Sequence, residues 1–208
     1  MKKSIYIVSI LLLISLSSVA QKQYSQAMGS ALGLWGQGKS NEASAAFERI
    51  SQVEKTNWLP SYYVALVNVF DSFKEKDKTI QIQKLDKSEQ YVEIARKRNA
   101  NTAELCCIEG LINTAKIMQD PMNNGQTLSP KTIAIYKKAI HLEPNNPRPL
   151  YLLAQFQINT ARMMGGDCSS FYKSIEKAIK LFNTFKAKEA FYPNWGKQQA
   201  EAMLKAQK

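Results

Sequence analysis

The most restrictive feature of this chain is that it repeats itself. The run Ile112-Asn113-Thr114-Ala115-Lys116-Ile117-Met118 returns 46 residues later as Ile158-Asn159-Thr160-Ala161-Arg162-Met163-Met164. Tyr136-Lys137-Lys138-Ala139-Ile140-His141-Leu142 returns after 39 residues as Ile175-Glu176-Lys177-Ala178-Ile179-Lys180-Leu181. Self-similarity at tens of residues marks stacked supersecondary units, none of which can bury its apolar face alone. The two offsets differ by 7, so the earlier unit carries an insertion, and the sequence predicts a longer loop over residues 119–128. Weaker copies lie upstream. Val67-Asn68-Val69-Phe70 matches Ile112-Asn113-Thr114-Ala115 at an offset of 45, and Phe47-Glu48-Arg49-Ile50 resembles Tyr91-Val92-Glu93-Ile94 at 44.

The repeated unit reads as helical. Apolar residues recur at steps of three and four, as in Leu105, Ile108, Ile112 and Ala115, and the period-two alternation of a strand is missing. Asn101 with Glu104 reads as a capping box, and Ser129-Pro130 and Asn146-Pro147 each place a capping side chain before a first-turn proline. Stops stand at Gly38, Pro144 and Gly165-Gly166. The count is four helix pairs plus a C-terminal helix.

The segments Gly38-Lys39-Ser40-Asn41-Glu42-Ala43-Ser44-Ala45-Ala46-Phe47 and Tyr136 through Pro147 resemble second helices of tetratricopeptide repeats, and the resemblance extends over nearly all of residues 21–208. It implies an all-α, right-handed solenoid of about four antiparallel helix pairs. Ala31, Ala65, Gly110 and Ala154 would be the small residues of the first helices; Ala43, Phe47, Tyr91, Tyr136, Ala139 and Ala178 would be their counterparts on the second. Two departures stand out: Lys55 occupies the place of the first unit's proline, and three units run to about 45 residues rather than about 34. Residues 185–208, with Tyr192-Pro193-Asn194-Trp195-Gly196 before a Lys/Gln-rich helix, resemble the ends of short exported bacterial proteins of this kind. They are expected to cap the array, with Trp195, Ala200, Met203 and Leu204 covering the last repeat.

At the N-terminus, Lys2 and Lys3 precede an apolar stretch from Ile5 to Leu16 and the small residues Ser18-Val19-Ala20. That is the pattern of a secretory signal peptide cleaved after Ala20, with an uncleaved anchor as the alternative. A periplasmic or secreted chain of residues 21–208, without an integral membrane segment, is the expectation. Setting Lys2 and Lys3 aside, 26 basic residues face 17 acidic ones, and residues 131–208 alone hold 13 against 5. Nucleic acid is an unsuitable partner for an exported chain. Cys106 and Cys107 fit buried helix positions; in an oxidising compartment the alternative is a bridge from one of them to Cys168.

A single histidine and three cysteines exclude most metal and nucleophile–base chemistry. His141 suits the negative end of a helix dipole, and Asp120, Asn123 and Asn124 offer too few carboxylates for calcium. No catalytic, metal or cofactor site is expected. In the resembling family the first helices line a concave side that holds an extended peptide or a partner's helix. The equivalent amides Asn68, Asn113 and Asn159, with Tyr62, Tyr63 and Tyr151 near first-helix starts, are the candidate contacts; capping turns or bonding between helices is the structural alternative. The functional expectation is a non-catalytic scaffold or adaptor for a protein or peptide partner in the cell envelope. The alternative is a peripheral binder of anionic lipid or glycan through Lys137, Lys138, Lys173, Lys177 and Lys180.

Overall fold

The computed structural model describes residues 20–207, so the segment read as a signal peptide lies, but for Ala20, outside the described residues. Among the described residues the chain is all-α. Helix α1 covers residues 20–36 and is followed by α2 (Ser40–Val53), α3 (Leu59–Ser72), α4 (Lys78–Lys97), α5 (Thr102–Gln119), α6 (Pro121–Leu142), α7 (Pro147–Met163), α8 (Ser169–Thr184) and α9 (Lys197–Lys205). Successive helices from α2 to α9 pack on one another, and α5 also touches both α3 and α7. This is a stack of antiparallel pairs in which the odd-numbered helices share one face, here called the inner face. None of the described helices is long and apolar enough to cross a membrane.

Small residues set the helix spacing. Ala31, Ala65 and Ala154 on odd helices, and Ala43, Ala139 and Ala178 on even ones, are wholly buried, so helices approach closely where a side chain is small. Gly110 is the extreme case: a Cβ there would stand 2.3 Å from the ring of Tyr136 on α6. Gly110→Ala is therefore expected to displace Tyr136 and lower the unfolding free energy by about 1–3 kcal/mol, read from urea denaturation followed by circular dichroism.

Most helix ends follow the sequence grammar. Asn101 accepts from the Glu104 N–H at 3.0 Å and Asn146 from the Arg148 N–H at 3.1 Å, while Gly38 and Gly165 adopt positive φ where α1 and α7 stop. Two readings are corrected. The residues expected to form a loop over 119–128 are helical except Asp120, and Ser129-Pro130 does not start a helix but lies inside α6. The start is at Pro121, because the Asp120 carboxylate accepts from the Asn123 N–H at 3.1 Å and Asn124 Nδ2 donates to the Lys116 carbonyl at 2.8 Å. Past Pro130, which offers no N–H, the Thr132 hydroxyl donates to the Leu128 carbonyl at 2.8 Å. The capping box is also only half formed: Asn101 caps α5, but the Glu104 side chain turns inward to other partners.

No cysteine is bridged. Cys106 and Cys107 are buried in α5, and Cys168 precedes α8 half-buried. Burial, reinforced by the Glu104 carboxylate, pushes the Cys107 thiol well above its usual range, which leaves it an inert core residue.

Candidate functional site

The C-terminal tail is divided. Only Lys197–Lys205 is helical, whereas residues 185–196 form an irregular strap that runs across the inner face over the N-terminal halves of the odd helices. Phe185 lies on Arg148 of α7, with the guanidinium carbon 4.7 Å from the ring centroid, and Lys188 pairs with Glu143 in the α6–α7 turn. Glu189 accepts from Trp58 Nε1 at 3.2 Å, and the Phe191 carbonyl accepts from the Tyr63 hydroxyl at 2.9 Å. The Phe191 ring meets Tyr24 of α1 edge-on, and Tyr192 meets Trp58 edge-on. Trp195 then donates through Nε1 to the Tyr62 hydroxyl at 2.8 Å and sets its ring edge-on to Phe70.

Two backbone features fix this path. Phe191 adopts φ 61°, a conformation rare for a bulky residue, and it is held there from both sides by Tyr63 and Tyr24. Gly196 adopts φ 105°, and a Cβ there would be 2.9 Å from Phe182 and 3.6 Å from Tyr151, so only glycine lets the chain turn into α9 against α7 and α8.

Beneath the strap lies a buried charge centre. Glu104 of α5 accepts from Arg148 Nε at 2.9 Å and Nη2 at 2.5 Å, from Asn146 Nδ2 at 2.6 Å and from the Tyr62 hydroxyl at 3.2 Å. Both members of the pair are wholly buried. Burial disfavours the Arg148 cation, but the adjoining Glu104 carboxylate outweighs that and holds its pKa above the ordinary value. One guanidinium nitrogen, Nη1, has no protein partner, and Phe185 and Tyr192 present ring faces to this guanidinium. The pair joins α3, α5 and α7 and supports the strap.

The strap leaves the C-terminal halves of the odd helices uncovered, and there a pocket of about 220 Å³ remains. Leu111, Tyr136, Leu152 and Phe156 give it a buried apolar base, Phe70 of α3 and Phe73 just past its end stand opposite Tyr151, Gln155 and Asn159 of α7, and Trp195 borders it from the strap. Met118, 62% exposed, lies at its outer end. No charged side chain lines it; its polar groups are hydroxyls and amides, including Thr114 and Gln199. Burial pushes the Tyr151 phenol up to about 12, against the lowering effect of a hydrogen bond with Gln155, so it is a neutral donor at physiological pH.

The structure separates the residues singled out from the sequence. Asn159 and Tyr151 line the pocket. Tyr62 and Tyr63 are buried beneath the strap. Asn68 donates to Ser44 Oγ and to the Val64 carbonyl, both at 2.8 Å, which is a bond between α3 and α2 and within α3. Asn113 borders a different cleft, beside Glu89, Glu93 and Glu109. The three amides therefore do not form one row. Lys137, Lys138, Lys173, Lys177 and Lys180 stand exposed on α6 and α8, and His141 is exposed in the last turn of α6.

Sequence reasoning missed the Glu104–Arg148 pair and the strap. One signal was available for the pair: Arg148 sits in the first turn of α7, where a cation opposes the helix dipole and gains from a carboxylate partner. No protein-family profile and no curated protein matches the chain. The fold is similar to that of the HusA haemophore from Porphyromonas gingivalis, with a TM-score of 0.78 and 22% sequence identity over 88% of this chain and 92% of that one.

Proposed function

We propose that this chain is a non-catalytic, exported binding protein of tetratricopeptide-like construction, and that it carries a flat, largely apolar ligand of the tetrapyrrole class in the pocket between α3, α5, α7 and Trp195. The observation that carries this reading is the lining itself. Aromatic and aliphatic side chains supply two facing walls, and a few amides and hydroxyls supply polar contacts without a fixed charge, the usual composition of a small-molecule site. A fold shared with a haemophore makes a tetrapyrrole the first ligand to test.

The volume of about 220 Å³ lies below the roughly 300–1,000 Å³ typical of sites that enclose a drug-sized molecule. A tetrapyrrole would thus bind with one edge in solvent, past Met118, or would push Trp195 aside. The scaffold reading, with a peptide or partner helix along the whole inner face, needs more: over the N-terminal halves of the odd helices such a partner has to displace the strap from Trp58, Tyr62 and Tyr63.

The test is titration of the full chain with haemin and, separately, with metal-free protoporphyrin, followed by the Soret band and by quenching of tryptophan emission, since Trp195 borders the pocket. Saturable one-site binding is expected, weakened about tenfold or more in Phe73→Ala and Met118→Ala, the loss of about 1.4 kcal/mol of contact. Absence of saturable binding, or native affinity in both variants, rejects the pocket as the site.

A further inference from the structure

The exposed apolar side chains of this protein are not scattered. Among the described residues eight large ones are exposed, and six of them (Ile80, Ile82, Met118, Met122, Met163 and Met164) fall at the α3–α4, α5–α6 and α7–α8 turns. Because successive helices are antiparallel, these three turns lie along one edge of the stack. The pocket reaches the same edge, since Phe73, Met118 and Asn159 near the ends of α3, α5 and α7 all line it. Exposed apolar side chains gathered at one edge, rather than scattered singly, are the pattern of a docking surface.

The charges on this edge are sorted as well. Its carboxylates are engaged locally: Asp77 accepts from the Thr79 and Ile80 N–H groups, Asp120 from Asn123, Asp167 from Ser169, and Glu75 from the Lys76 N–H. These carboxylates stay ionised but are held at helix N-termini or within their own turn, with Lys78 also acting on Asp120. Lys74, Lys76, Lys78 and Lys173 make no ion pair with any described residue. Lysine is depleted in protein–protein interfaces, whereas lysines interleaved with deformable apolar side chains are what an anionic bilayer surface attracts, the stems lying on the apolar layer and the ammonium groups at the phosphates.

We infer that the edge formed by the α3–α4, α5–α6 and α7–α8 turns docks on an anionic lipid surface, the four methionines entering the headgroup layer and the lysines contacting phosphate. Docking in this orientation turns the mouth of the pocket toward the bilayer. The inference does not depend on the pocket's ligand, because the experiment contains none.

The experiment is flotation of the full chain with vesicles of phosphatidylcholine alone or with added phosphatidylglycerol, beside Met122→Ser/Met163→Ser/Met164→Ser and Lys76→Glu/Lys78→Glu/Lys173→Glu. All six positions are exposed, in the turns or the adjoining ends of helices, and unchanged helical circular dichroism confirms folding. Residues 1–19 are common to all three proteins, so differences read the edge. The native chain is expected to float with phosphatidylglycerol vesicles and to be released by salt. Each triple variant is expected to lose roughly tenfold or more in partitioning. Equal flotation of native and variant chains overturns the inference, as does no flotation at all. Methionine-dependent capture by an envelope protein without vesicle binding also overturns it and assigns the edge to a protein.

Discussion

Arg148→Met is expected to lower the unfolding free energy by about 3–5 kcal/mol, measured by urea denaturation. The substitution leaves the Glu104 carboxylate wholly buried and still facing Tyr62 and Asn146, with its compensating cation gone. A buried charge left alone is far more costly than the pair was beneficial, so adding Glu104→Leu to Arg148→Met is expected to recover part of the loss. Recovery stays incomplete because Tyr62 and Asn146 then lose an acceptor. A loss below about 1 kcal/mol in the single variant would mean that water reaches the guanidinium and that the centre does not act as an isolated pair.

The strap yields the second large effect, and here two substitutions at one position separate packing from polarity. Tyr192 is 3% exposed, lies against Trp58 and Phe185, and has a hydroxyl with no hydrogen-bond partner. Tyr192→Ala is expected to cost about 3–5 kcal/mol, as truncation of a buried aromatic usually does, and to raise binding of a hydrophobic dye as the strap lifts. Tyr192→Phe removes only the unpartnered hydroxyl and is expected to be neutral or to stabilise by about 1 kcal/mol. If both substitutions destabilise equally, the hydroxyl holds a partner and the strap is anchored by polarity rather than by ring packing.

Much of the fold was legible because helix-pair repeats write themselves in local periodicity. The equivalences of Ala65 with Gly110 and of Ala139 with Ala178 follow from the need for small residues where helices cross, and all four positions are buried. The insertion before Tyr136 was not legible as helix, because none of residues 122–129 is buried and they carry no apolar stripe; their helicity comes from the cap at Asp120 and continuity with the packed half of α6. The site was less legible still. Asn68, Asn113 and Asn159 are equivalent in sequence, yet they meet α2, an acidic cleft and the pocket respectively. A repeat equalises position within a unit but not what covers that unit. The cover here is a strap whose partners lie more than a hundred residues away in α1 and α3, as Tyr62 does from Trp195 and Tyr24 from Phe191, and local pattern carries no information about such contacts.

That separation has a consequence for how the protein comes into being. A plain helix-pair array can fold progressively as the chain emerges, each unit settling on the one before it. In this chain the aromatic face of α1 and α3 waits for Glu189, Phe191, Tyr192 and Trp195, which are synthesised more than a hundred residues after Tyr24 and Trp58. Until residues 189–195 have been delivered, Trp58, Tyr62 and Tyr63 lack this cover, and the high contact order of closure slows the step. The interval between first synthesis and strap docking is when this chain most needs protection from aggregation.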